Sequence, residues 1–121
     1  MSAFQSRQGQ RVGIEAKAMV QIDEAMRDTV SILRQPQEIK INDISVVGIG
    51  ALCPIFLPKG AILDISMSSS ELNIDNSVKI KGEVRYCRPA KEDQDKLGIK
   101  FVGIDSHILE RIREFVAKNK P

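Results

Sequence analysis

Apolar and polar residues alternate along most of this chain, and the alternation predicts strands. Between Arg11 and Ile22, the positions Val12, Ile14, Ala16, Ala18, Val20 and Ile22 fall on one side, with Arg11, Glu15, Lys17 and Gln21 on the other. An unbroken period of two is the signature of a half-buried strand. Small alanines on the inward side suit a tightly curved sheet. Residues 23–29 are polar and read as a turn, and a second strand begins near Val30. Pro36 interrupts it, since proline offers no amide to a ladder, and Ile39 and Ile41 resume the alternation. A short third strand covers 49–53, and a fourth covers 61–67 with Leu63, Ile65 and Met67 against Ile62, Asp64 and Ser66. Between them, Pro54 to Gly60 reads as a loop whose Phe56 and Leu57 are exposed unless they cover the core or a partner.

After a polar connection opening at Ser68, the positions Val78, Ile80, Gly82, Val84 and Tyr86 alternate with Lys79, Lys81, Glu83, Arg85 and Cys87. Pro89 to Lys96 reads as a charged turn, and Leu97, Ile99 and Phe101 mark a sixth strand ending near Ile104. The period then changes. Asp105 or Ser106 can cap a helix whose apolar positions are Ile108, Leu109, Ile112, Phe115 and Val116, with Glu110, Arg111, Glu114 and Lys118 on the wet side. Six short strands and one closing helix predict an all-β fold with a C-terminal helix, most simply a six-stranded antiparallel barrel, which leaves no exposed edge. The 121 residues form one domain: an arm at 1–11 without periodicity, a barrel at 12–104 and a helix at 105–119.

Composition narrows the function. A hydrophobic content of 42% with 28% charged residues is ordinary for a globular protein, and a net charge of +2 argues for neither a nucleic acid polymer nor a membrane surface. Aromatics make up only 4% with no Trp, which speaks against a base-stacking barrel for RNA or single-stranded DNA. No long apolar run or signal-like leader is present, so a cytoplasmic protein without membrane insertion is expected. Cys53 and Cys87 sit on separate predicted strands without zinc spacing and read as free, partly buried thiols. His107 is the sole histidine and falls in the first helical turn, so no enzyme, metal or cofactor is expected. Met19, Met26 and Met67 read as filling in or near the core.

Two motifs carry chemistry. Asp43-Ile44-Ser45-Val46-Val47-Gly48 is a D-x-S-x-x-G between two apolar runs. On a strand its carboxylate and hydroxyl would share a face, with a glycine where a ligand or backbone can approach closely. Ahead of the first strand, Arg7-Gln8-Gly9-Gln10-Arg11 is an R-x-x-x-R. Both together, in this order and with Gly98-Ile99-Lys100-Phe101 as a G-x-x-F strand before the helix, resemble the PilZ domain family over nearly the whole chain.

That resemblance implies a barrel with a C-terminal helix that binds the bacterial second messenger cyclic di-GMP. Arg7 and Arg11 would supply guanidinium forks for phosphate or a guanine edge, and Asp43 would accept from guanine N–H groups. Ser45 would bond phosphate or base, and Gly48 would admit backbone; Gln8, Gln10 and Lys100 are possible further contacts. The arm would order over the ligand and signal to a downstream partner protein. Ser6 stands where many members carry another arginine, which leaves one or two bound nucleotides open. The alternative is a PilZ-like adaptor that binds protein and ignores nucleotide.

Overall fold

The computed structural model describes residues 10–23 and 35–119, apart from the side chains of residues 76 and 77. The strands are β1 (Val12–Ile22), β2 (Gln37–Ile44), β3 (Gly48–Cys53), β4 (Ile62–Ser69), β5 (Ile74–Lys91) and β6 (Gln94–Gly103), and helix α1 (Ser106–Asn119) comes last. Every pairing is antiparallel, and the order β1-β2-β3-β6-β5-β4 closes as β4 returns to β1.

Strand β1 keeps the predicted alternation from end to end, with its six apolar positions buried. They join Ile39, Ile41, Ile44, Ile49, Leu63, Ile65, Met67, Leu97 and Ile99 in one core. Asp105 caps α1 through a bond from the His107 amide to its carboxylate at 2.7 Å. Ile108, Ile112 and Phe115 are buried in the core, and Arg111 donates to the Asn73 carbonyl at 2.7 Å, tying the helix to the β4–β5 connection.

Several expectations change. Leu57 is fully buried while Phe56 is 54% exposed, because the loop turns Leu57 inward and its amide donates to the Cys87 sulfur at 3.4 Å. Met67 is in the core but Met19 is 42% exposed, since it occupies an outward position of β1; Met26 lies outside the described residues. Strand β5 extends through Pro89 to Lys91, so the turn shrinks to Glu92 and Asp93. A register shift between Pro89 and Lys91 accommodates the missing amide, and Asp93 takes the left-handed conformation (φ 65°) that Asp tolerates in tight turns. The start expected for the second strand at Val30 lies outside the described residues, and β2 begins after Pro36.

Both cysteines are free, Cys53 buried and Cys87 half-buried. Burial is the main cause that pushes both thiols above their ordinary value of 9.0. On the β4–β5 wall, Lys81 reaches Asp23 at 2.5 Å and Asp64 at 2.6 Å, and these two hydrogen bonds raise its pKa.

Candidate functional site

The site begins with one surplus residue in β2. Its register with β3 passes from Ile41 opposite Ala51 to Asp43 opposite Gly50, leaving Asn42 as a bulge. A bulge reverses the inward and outward parity of the residues after it. Ile41 and Ile44 are therefore both fully buried, and Asp43, which unbroken alternation would send into the core, faces outward.

Ser45 comes after the strand ends, and it does not share the face of Asp43 as a regular strand would dictate. It is fully buried, and its hydroxyl accepts the amides of Val47 (3.1 Å) and Gly48 (3.3 Å). The Ser45 amide donates to the Gly48 carbonyl at 2.9 Å. The serine thus shapes the turn that carries the chain from β2 into β3. Gly48 has no room for a side chain, since a β-carbon would overlap the Ile99 carbonyl of β6. The close approach it permits is that of a neighbouring strand.

Outside the barrel, cross-strand pairing aligns Gly13, Asp43, Gly50, Gly98 and Tyr86 in one row across β1, β2, β3, β6 and β5. A β-carbon on Gly50 would sit 2.7 Å from both oxygens of the Asp43 carboxylate, and one on Gly98 would overlap the Tyr86 ring. Carboxylate and ring therefore lean toward each other over a floor of two glycines. Tyr86 reaches this outer face through a second bulge, between Val84 and Tyr86, which reverses the alternation expected for β5 and turns Cys87 toward the core. Adjacent strands lie about 4.8 Å apart, so the trough from β2 to β5 is roughly 14 Å wide.

Its charges are set by neighbours. Arg11 donates to Asp43 at 2.8 Å, with side chains 40% and 27% exposed. Arg11, Arg85, Lys100, Val47 and Tyr86 line a cleft of about 250 Å³ above Gly98. Glu83 lies 3.6 Å from Arg85, and the Arg88 guanidinium stands 4.6 Å over the Tyr86 ring. Lys100 has no ion pair among the described residues. Gln10 is half-buried, while Arg7 and Gln8 lie outside the described residues. The structure thus brings Arg11, Asp43 and Lys100 together, with Ser45 and Gly48 forming the adjoining turn.

Sequence reasoning passed over Gly50, Gly98, Arg85 and Tyr86 as site residues. The available signal was a glycine inside a strand, which marks a close approach. A larger hollow of about 740 Å³, bordered by Met19, Asp64, Lys79 and Lys81, lies along β1, β4 and β5. Size does not make it the better site. Among the described residues its lining holds no aromatic ring, whereas the trough sets the Asp43 carboxylate and the Tyr86 ring over a floor of two glycines, beside a cleft lined by Arg11, Arg85 and Lys100.

Such a set suits an anionic ligand with an aromatic, hydrogen-bonding edge. The carboxylate accepts from two adjacent N–H donors, guanidinium and ammonium groups hold phosphate, and the ring offers a face to a base. Among the described residues no group of His, Cys, Asp and Glu is arranged to hold a metal ion.

Comparison with known proteins agrees with this architecture. The family profile described as PilZ domain matches residues 5–118. Among solved structures, the Bacillus subtilis inhibitor of motility (MotI/DgrA) superposes with a TM-score of 0.69 at 14% identity, covering 89% of this chain and 48% of that one. The Escherichia coli YcgR PilZ domain, solved with cyclic di-GMP, gives a TM-score of 0.61 at 11% identity, covering 90% of this chain and 87% of that one. YcgR in complex with cyclic di-GMP gives 0.59 at 9% identity, covering 89% and 43%. The chain thus spans about half the length of MotI/DgrA and less than half of that YcgR chain. No curated protein sequence matches it.

Proposed function

We propose, for a chain that belongs to the PilZ domain family, that it is a receptor for cyclic di-GMP and that the Asp43–Tyr86 trough is where the nucleotide sits. The observation that carries this reading is the meeting of Asp43 with Arg11 at 2.8 Å, one residue from each of the two motifs. In support, the solved YcgR structures that share the fold hold this ligand.

The guanine Watson–Crick edge presents N1–H and N2–H side by side, the same donor pair that a guanidinium offers a carboxylate. Arg11 stands where that edge would bind. Guanine takes its place on Asp43, and Arg11 turns with Arg7 to the phosphates. Lys100 and Arg85 add charge from β6 and β5, and Tyr86 gives a face to the second base or the ribose side. Ser45 and Gly48 act through the turn that fixes Asp43. Gln8 and Gln10, flanking the two arginines, are in reach of polar ligand atoms once the arm closes.

Ordering the arm costs roughly 1–2 kcal/mol per residue fixed, so several charge-assisted contacts of about 1.5–3 kcal/mol each are needed before binding is useful. The ordered arm is then the signal read by a partner protein in the cytoplasm. The chain acts by binding and not by turnover. Titration with cyclic di-GMP against GTP and cyclic GMP, with protease protection of residues 1–11 as a second readout, tests the reading. Selective binding with protection supports it, and equal or absent response to the three nucleotides refutes it.

A further inference from the structure

One pleat repeat along β3, β6 and β5 from the trough, a second row crosses the same outer wall. Register places Lys17 of β1 opposite Lys40 of β2, Lys40 opposite Leu52 of β3, Leu52 opposite Lys96 of β6, and Lys96 opposite Arg88 of β5. The four basic side chains are exposed and the row contains no acid. Like charges directly opposite each other destabilise a sheet, yet Lys17 faces Lys40 and Lys96 faces Arg88. The β4–β5 wall does the reverse, with Asp64 opposite Lys81 and 2.6 Å from it. Among the described residues Lys40 and Lys96 have no ion pair, and Lys17 meets only Glu38 at 3.7 Å. Lys17 is thus offset by Glu38 and Arg88 by the Tyr86 ring, whereas Lys40 and Lys96 are left uncompensated among the described residues.

Beside the row lies a cleft of about 370 Å³. Lys40 and Lys91 flank it, Leu52 and Pro54 give it apolar walls, and its one acid, Glu38, is the residue that reaches Lys17. We propose that row and cleft together form a docking surface for an acidic segment of a partner protein, one apolar side chain of which enters between Leu52 and Pro54. Charge complementarity sets the sign of the partner. The cleft separates a peptide from a bilayer, because a lipid surface has no side chain to place in a recess on a convex wall. A single-stranded nucleic acid is held by stacking rings as well as by cations, and this row has no ring.

On β3, β6 and β5, where Lys96 and Arg88 stand, the row lies one repeat, about 6.8 Å, from the trough, inside a screening length of about 8 Å at physiological salt. This part rests on the cyclic di-GMP reading: a dianion in the trough lowers the potential over the row, so nucleotide and an acidic partner docked here, distinct from the partner that reads the ordered arm, weaken each other's binding, reciprocally.

The test uses the full chain and a short fluorescein-labelled peptide of glutamates around a central leucine, monitored by anisotropy at low and physiological salt. Controls are the same peptide with lysines for glutamates, the peptide without its leucine, and phosphatidylcholine vesicles with and without phosphatidylglycerol. The acidic peptide should bind, weaken with salt, and lose at least about tenfold in affinity in Lys40→Glu with Lys96→Glu. That variant should keep or raise its melting temperature and should lose less cyclic di-GMP affinity than peptide affinity; Lys40→Gln with Lys96→Gln gives a milder check should the reversal unfold the chain. No peptide binding, undiminished binding in both variants, preference for anionic vesicles, or a loss of nucleotide affinity as large as the loss of peptide affinity overturns the docking surface. Peptide affinity that does not fall when cyclic di-GMP saturates the chain overturns the antagonism alone.

Discussion

The Asp43 carboxylate lies across Gly50 of the neighbouring strand, so close that a methyl group there would stand 2.7 Å from both of its oxygens. Glycine at this position is what lets the acid face the trough. Gly50→Ala should therefore weaken cyclic di-GMP binding by about tenfold or more without removing any group that touches the ligand. Gly13→Ala is the control, because its β-carbon would meet nothing nearer than the Asn42 carbonyl at 4.0 Å. Calorimetric titration of both variants checks the claim.

Arg11 meets Asp43 in an exposed pair, and such pairs contribute no more than about 1 kcal/mol to stability. Arg11→Ala should leave the melting temperature almost unchanged. Its effect belongs to binding, where loss of one charge-assisted contact corresponds to roughly 10- to 150-fold in affinity. Arg7→Ala should lose affinity to a similar extent. Denaturant unfolding beside titration separates the two effects, and a large drop in stability with unchanged affinity would reverse the assignment.

Ser45 makes the opposite prediction. Its buried hydroxyl satisfies two amides of the β2–β3 turn, and removing it leaves them without an acceptor, at a cost of about 1–3 kcal/mol. Ser45→Ala should lower the denaturant midpoint first and lose cyclic di-GMP affinity as a consequence of a displaced Asp43. Ser45→Thr, which keeps the hydroxyl, should recover part of the binding if the added methyl finds space. Loss of affinity in Ser45→Ala at full stability would show instead that the hydroxyl touches the ligand.

Alkaline pH should destabilise the fold. Burial raises the Cys53 and Cys87 thiols above their ordinary 9.0, so the unfolded chain loses these protons first. Their contribution is fully present below 9.0 and is lost as pH climbs through the raised values. Lys81, raised by its hydrogen bonds to Asp23 and Asp64, adds a further loss above its ordinary 10.5. Denaturant midpoints should be flat from neutral pH to 9.0 and then fall, less steeply in Cys53→Ala with Cys87→Ala. Slow reaction of both thiols with a disulfide reagent at neutral pH is the companion observation.

Regular elements were legible in the sequence, and irregular ones were not. Strand β1 is regular, so its alternation mapped directly onto burial. The helix was equally plain, since Ile108, Ile112 and Phe115 recur at helical spacing below an Asp cap. The bulges at Asn42 and near Arg85 were hidden, because a surplus residue shows only when the partner strand is known. Those two irregularities decide the site: they turn Asp43 and Tyr86 outward to face each other across Gly50 and Gly98. Leu57 was ambiguous for a similar reason, as only the fold tells an exposed loop residue from one turned into the core.

The central claim, that Asp43 at the end of a glycine-floored trough holds cyclic di-GMP with help from Arg11, is tested most directly by calorimetric titration of the wild-type chain and Asp43→Ala. The account predicts binding at micromolar strength or better that GTP and cyclic GMP do not reproduce and that the substitution weakens at least about tenfold. Equal affinity in the two proteins, or no heat of binding in the wild type, would contradict it.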